Sequence, residues 1–230
     1  MADDSSAWQL ILAGDPVLLS IVRVSLAVSL SALALASLVG LPLGAMLALL
    51  RFPGRGLLVV LLNALMGLPP VVVGLAVYLL LSRSGPLGAF GLLFTPTAMV
   101  IAQTIIIIPI IAAPTRQSVE DFWHEYRDEL SAMGVGPIGR MMTLLWDARI
   151  SLFTAVLAGF GRAAAEVGAV MIVGGNIEGF TRTMTTAVVL ETSKGNLPLA
   201  MGLGIILVAL VIAINAVVWT TRTWSERQAG

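Results

Sequence analysis

Between residues 17 and 50 the chain offers one charged side chain, Arg23, among Leu, Val, Ala and Ser. Apolar runs recur at 57–81, 95–113, 150–173 and 197–220. Nothing else constrains the fold as strongly. About 20 residues cross the hydrocarbon of a bilayer. In lipid every backbone N–H and C=O must find a partner within the protein, which leaves helices and closed barrels. Barrel strands alternate apolar and polar residues with a period of two, and these runs are continuously apolar. The sequence therefore predicts an all-α integral membrane protein, a single transmembrane permease domain over 1–230 with five transmembrane helices. Charged residues make up 11% of the chain, against about 25% in soluble domains. The formal net charge is zero, so no global field points to nucleic acid. With no Cys, disulfides and thiolate metal sites are excluded, and no metal site is expected.

The interruptions carry the detail. Residues 1–15 read as a polar tail, with Asp3, Asp4 and Asp15. The opening MADDSSAWQL lacks the basic start of a signal peptide, so the first span is expected to persist. Pro16 suits a first helical turn, and Gly40 and Pro42 are expected to bend the first span. RFPGR (51–55) is a basic loop and SRSGPLG (82–88) a turn. Pro69 and Pro70 interrupt the second span, which lipid tolerates only where neighbours satisfy the freed carbonyls. Pro109 falls near the expected end of the third span. A short surface helix is expected over 183–194. Trp219 and Trp224 fit an interfacial belt.

Five spans place the termini on opposite sides. Arg51, Arg55, Arg116, Arg127, Arg140, Arg149, Arg222 and Arg227 share one side; Arg83, Arg182 and Lys194 share the other. The positive-inside rule puts the first group in the cytoplasm, giving N-out and C-in. The polar loop 115–149 between spans 3 and 4 is then cytoplasmic. Within it EDFWHEYRDELSAMG (120–134) repeats Phe122, Tyr126, Leu130 and Met133 at helical spacing. That reads as an amphipathic helix about ten residues long, ended by Gly134. It either lies on the membrane surface or serves as a handle for another protein. His124 is its lone histidine and reads as a surface residue.

The loop resembles that of importer-type ABC permeases, whose pattern is Glu-Ala-Ala, three residues, Gly, nine residues, then Ile-x-Leu-Pro. Asp128, Glu129 and Leu130 stand at the first three positions, Gly134 at the Gly, and Leu144, Leu145, Trp146 and Asp147 at the last four. An acid, the Gly and apolar character survive. GRAAAEVGAVMIVGGNIEGFTRTMTTAVVLETSKG (161–195) is similar to the end of molybdate and tungstate permeases, most of all the tungstate branch. LNALMGLPPVVVGLAVYLLLSRSGPLG (62–88) and FTPTAMVIAQTIIIIPII (94–111) extend the similarity over nearly the whole chain. The resemblance implies a five-span permease of an ATP-driven oxyanion importer in a prokaryotic inner membrane. It implies a homodimer bound to two cytoplasmic ATPase subunits and served by an extracytoplasmic tungstate-binding protein. It also implies that the loop is a coupling helix, with Glu125, Asp128, Glu129, Ala132, Met133, Gly134 and Val135 at the ATPase. The chain has no G-x-x-x-x-G-K-[ST], so ATP and Mg are expected on the partner and no cofactor here.

Arg162 and Glu166 stand one turn apart, about 18 Å and 24 Å along the fourth span. Ionised groups at that depth face protein or water. They either line the pathway or gate, with Arg162 offering its fork of donors to an oxyanion, or form a local ion pair. Gly174, Gly175 and Asn176 form a backbone nest for an anion or simply the turn at the span's end. Arg182, Thr183 and Thr185 either contact the binding protein or cap the outer surface. The small residues of AGFGRAAAEVGA (158–169) favour a tight helix seam. Two other classes compete with this reading. A self-contained ion-coupled secondary transporter of a small anion needs intramembrane carboxylates, and Glu166 is the one clear instance. A membrane enzyme needs HExxH, G-x-S-x-G or paired acids, and none is present.

Overall fold

A computed structural model describes residues 7–229, with the side chains of 218, 219 and 221–229 outside the description. Trp219, Trp224, Arg222 and Arg227 therefore lie outside the described side chains, as do Asp3 and Asp4. The described chain is helical, in the order α1 (Ala7–Ala13), α2 (Pro16–Leu49), α3 (Arg55–Met66), α4 (Pro70–Leu81), α5 (Pro96–Ala132), α6 (Pro137–Asp147), α7 (Arg149–Ala164), α8 (Gly168–Gly174), α9 (Met184–Lys194) and α10 (Leu197–Ala229). A single 3-10 turn, Gly88–Phe90, lies between α4 and α5.

Among the described residues three helices are long and apolar enough to cross a bilayer: α2, α5 and α10 over Leu197–Val217. α3 with α4, and α6 with α7, reach that length only as bent pairs, at 104° and 74°. Each 12-residue half of the first pair is about 18 Å long, short of the roughly 30 Å hydrocarbon. The expected second span, 57–81, is thus two half-helices meeting at Gly67–Pro69. The physical cause is Pro69 and Pro70, which cannot donate across the junction.

The largest departure from the sequence reading is α5. The third span was expected to end near 113, with a separate amphipathic helix in 115–149. Instead one helix runs from Pro96 through Pro109 and Pro114 to Ala132. At about 55 Å it projects well beyond the hydrocarbon. Proline is tolerated there because neighbouring helices occupy the weakened turns: Pro109 is buried, and Thr115 is buried with its hydroxyl donating to Ile111 O (2.7 Å). The stretch 1–15, expected as a tail, contains α1, which packs on α10. The fourth span is interrupted at 165–167, and α9 is tucked in rather than lying on the surface, with Met184–Ala187 buried.

Packing centres on α5. α2 crosses it on a small-residue seam, where a Cβ added at Gly44 would lie 2.5 Å from the Ala112 carbonyl oxygen and one at Gly40 3.2 Å from Ile108 O. Close backbone approach of this kind drives helix association in lipid. α4 and α8, the later halves of two interrupted spans, pack on each other and on α5. A Cβ at Gly74 would sit 2.6 Å from Ala169 Cα, and Val73, Val77, Met99, Val170 and Val173 form the surrounding core. α10 leaves Val208, Ile212 and Val217 outward, the arrangement expected when lipid is the solvent.

Candidate functional site

α7 ends at Ala164, and the chain unwinds through Ala165, Glu166 and Val167 before α8 begins. An unwound stretch at membrane depth exposes backbone groups that water cannot reach, so side chains must satisfy them. Gln103 Nε2 donates to Ala163 O (3.1 Å), Thr185 Oγ1 donates to Glu166 O (2.7 Å), and Ala169 N–H donates to Glu166 Oε1 (3.0 Å). The other carboxylate oxygen pairs with Arg162 Nη1 at 3.1 Å. Glu166 thereby ties the last turn of α7 to the start of α8. Its side chain is 2% exposed, whereas that of Arg162 is 33% exposed. The two side chains form a local ion pair, and its cation still reaches the surface of the subunit. Arg162 sits on a stripe with Ser151, Thr154, Ala158 and Ala165, the accessible face of α7. Gln103 Oε1 is buried without a partner at the same break. Nothing in the sequence of the third span had singled out Gln103; a lone amide in an apolar run was the available signal.

Gly174, Gly175 and Asn176 close α8. Gly175 and Asn176 adopt φ of +70° and +51°. Gly175 N–H donates to Met171 O (3.0 Å), and Ile177 N–H donates to Thr181 Oγ1 (2.9 Å), whose hydroxyl donates to Gly174 O (2.6 Å). Two amides that would cradle an anion are thus spent, so these residues make a helix end rather than a nest. A Cβ at Gly174 would meet Met99 Sδ at 2.8 Å, which explains the need for Gly.

Thr183 and Thr185 are buried, which removes them from the outer surface. Thr183 caps α9 in a reciprocal box with Thr186, and Met184 N–H donates to Ser25 Oγ (2.6 Å), fastening α9 to α2. The Arg182 side chain is also almost covered, pairing with Glu178 (3.5 Å) and Glu191 (3.9 Å). Lys194 Nζ and Asn196 Nδ2 complete the shell around Glu191, at 2.9 and 3.1 Å. Burial alone would raise the Glu191 pKa. The hydrogen bonds from Lys194 and Asn196, with the charges of Lys194 and Arg182, outweigh it and hold the carboxyl below its ordinary value near 4.5. The exposed part of this end is Ile177–Phe180 instead.

At the opposite end, Glu125, Asp128, Glu129, Ala132, Met133 and Gly134 are all exposed and Val135 partly so. They form one tip where α5 turns into α6. Leu130 anchors it from inside, against Val119, Leu144 and Ala48. Gly134 has φ +66°, with open space where a Cβ would stand. Below the tip Glu120 bridges Arg55 (2.9 Å) and Arg116, joining α3 to α5.

Apolar helices of spanning length around one long rod, with an ion pair at a helix break and an exposed polar tip, describe a polytopic membrane protein. The chain is 44% identical over 204 residues to the probable anion ABC transporter permease protein of Haloferax volcanii, covering 86% of this chain and 88% of that one. It is 39% identical over 215 residues to the tungstate uptake system permease protein TupB of Peptoclostridium acidaminophilum, covering 94% of each. The chain belongs to the family of ABC transporter permeases of the molybdate and tungstate type, as a multi-pass protein of the prokaryotic plasma membrane. The molybdenum transport system permease protein ModB of Azotobacter vinelandii is a more distant relative, 27% identical over 178 residues, covering 74% of this chain and 79% of that one. No family model matches the chain.

Proposed function

We propose that the chain is the membrane subunit of an ATP-driven importer for tungstate, or molybdate, and forms the translocation pathway as a homodimer. The observation that carries this reading is the 39% identity with a tungstate uptake permease over 94% of both chains. The exposed tip at Asp128–Gly134 is its docking point for a cytoplasmic ATPase subunit, and an extracytoplasmic binding protein delivers the anion at the opposite end. The termini are N-out and C-in. Arg162, on the accessible face of α7, is the cation that the passing oxyanion meets. One guanidinium held by one carboxylate attracts an anion without trapping it, which suits a pathway that must release its cargo. ATP binding draws two tips together and tilts the spans from inward-open to outward-open.

An ion-coupled transporter would need a carboxylate free to exchange a proton or cation. Glu166 is committed to Arg162 and to the α8 amide, which disfavours that reading. The test is uptake of labelled tungstate at nanomolar concentration by cells lacking only this chain, with molybdate and sulfate as competitors. Uptake is expected to fall to background on deletion and to return with the gene. Unchanged uptake would overturn the cargo assignment, and restoration without the cognate ATPase would overturn the ATP-driven one.

A further inference from the structure

α6 carries apolar side chains on two faces. The inner one packs Met141, Leu144 and Leu145 against α2 and α5. The outer one presents Ile138, Met142 and Trp146, at intervals of four, each more than half exposed. α6 turns 74° from α7, so with α7 along the bilayer normal it lies close to the bilayer plane. From its outer face a groove of about 410 Å³ runs between α2 and α7, lined by Leu41, Met142, Trp146, Arg149, Phe153 and Val156 among others. Arg149 stands at the mouth, its guanidinium 5.1 Å from the Trp146 ring centre and its Nη1 donating to Trp146 O (2.9 Å). Val156 lies about 10 Å further along α7. The groove thus has a cation and an indole at the water boundary and a hydrocarbon floor inside the span.

We propose that this groove binds an anionic phospholipid of the leaflet on the α5-tip side, its phosphate on Arg149 and an acyl chain along Leu41, Phe153 and Val156. The floor decides the occupant: a cytoplasmic protein cannot reach residues within a span, whereas an acyl chain already lies there. The rim decides the headgroup: a guanidinium matches phosphate oxygens with paired donors, basic pockets between spans hold anionic headgroups, and Trp settles at the headgroup level. A second groove on the other flank of α6, about 440 Å³, pairs Arg140 with Trp123 at 5.5 Å. Its floor is the end of α2, not the length of a span, so the site is assigned to Arg149. The assignment needs only a membrane-embedded chain and is independent of the cargo.

The test is titration of the full chain in detergent with phosphatidylglycerol, phosphatidylcholine or inorganic phosphate, read by native mass spectrometry and thermal stability. Phosphatidylglycerol is expected to bind and stabilise, and the other two to do neither. Arg149→Gln is expected to weaken phosphatidylglycerol binding about fivefold, and Arg149→Lys to retain most of it. In the unmodified chain the preference for phosphatidylglycerol should shrink as salt rises, a reading that survives any folding defect in a variant. Equal binding of both lipids, or an undiminished preference in Arg149→Gln, would overturn the site. So would loss of a co-purified ATPase subunit in Arg149→Gln with lipid binding intact, which would hand this face to a protein partner.

Discussion

Arg162 and Glu166 sit in unequal surroundings, and the inequality decides what each substitution costs. Arg162→Ala would leave a covered carboxylate with one backbone donor, a loss of about 3 kcal/mol. Glu166→Gln keeps an oxygen for the Ala169 amide and leaves a guanidinium that still reaches the surface, so about 1 kcal/mol is expected. The double variant should be more stable than the sum of the two losses allows, by more than about 1 kcal/mol. Thermal unfolding in detergent measures this, and strictly additive losses would mean that the pair carries no coupling energy. At the end opposite the tip, Glu191 gives a pH prediction. Its folded pKa lies below the ordinary value near 4.5, so its contribution is fully present above that value and is lost as pH falls through the lowered one. Unfolding temperature should drop as the medium is acidified below that ordinary value, and Glu191→Gln should flatten that limb. An unchanged limb would show that other carboxylates set it.

Among the elements, glycine marks where helices touch and where they do not. Gly44→Ala drives a methyl into the Ala112 carbonyl and should cost about 1–3 kcal/mol. Gly161, on the accessible side of α7, has nothing within 4 Å of an added Cβ, so Gly161→Ala should leave stability unchanged or raise it by up to about 1 kcal/mol. If Gly161→Ala folds normally yet slows uptake, α7 presents that side to the pathway or a second subunit; normal uptake would remove it from both. Element type was legible in the sequence, because uncharged runs of this length have few alternatives. Continuity was not. Pro109 read as lying near an end, but a neighbour that covers the weakened turn lets α5 continue past it and past Pro114. Glu166 read as charge within a span and not as a cap, because capping appears only once the helix is known to break there. Thr183 and Thr185 looked like an outer polar surface; their hydroxyls serve the inside, where α9 meets α2 and the α7–α8 break.

For the whole molecule the prediction concerns the tip. Gly134 has a positive φ and open space around it, so Gly134→Ala should cost about 1 kcal/mol through backbone strain alone. Gly134→Arg should remain folded, since a Cβ at this position meets nothing within 4 Å, yet lose co-purification with the ATPase and lose uptake. Retention of both would remove the tip from the coupling surface. Arg55, Glu120 and Arg116 brace the region between this tip and the spans, so a change at the tip reaches α3 as well as α5.

The unbroken course of α5 has a mechanical consequence. The Gly44 seam, where α2 presses on Ala112, is the tightest of the α2–α5 glycine contacts and the place for a pivot. From there the helix extends roughly 30 Å to Met133 and roughly 24 Å to Pro96. Were the helix to pivot there as one body, a swing at the tip would reach the other end in the opposite sense and at about four-fifths of its amplitude.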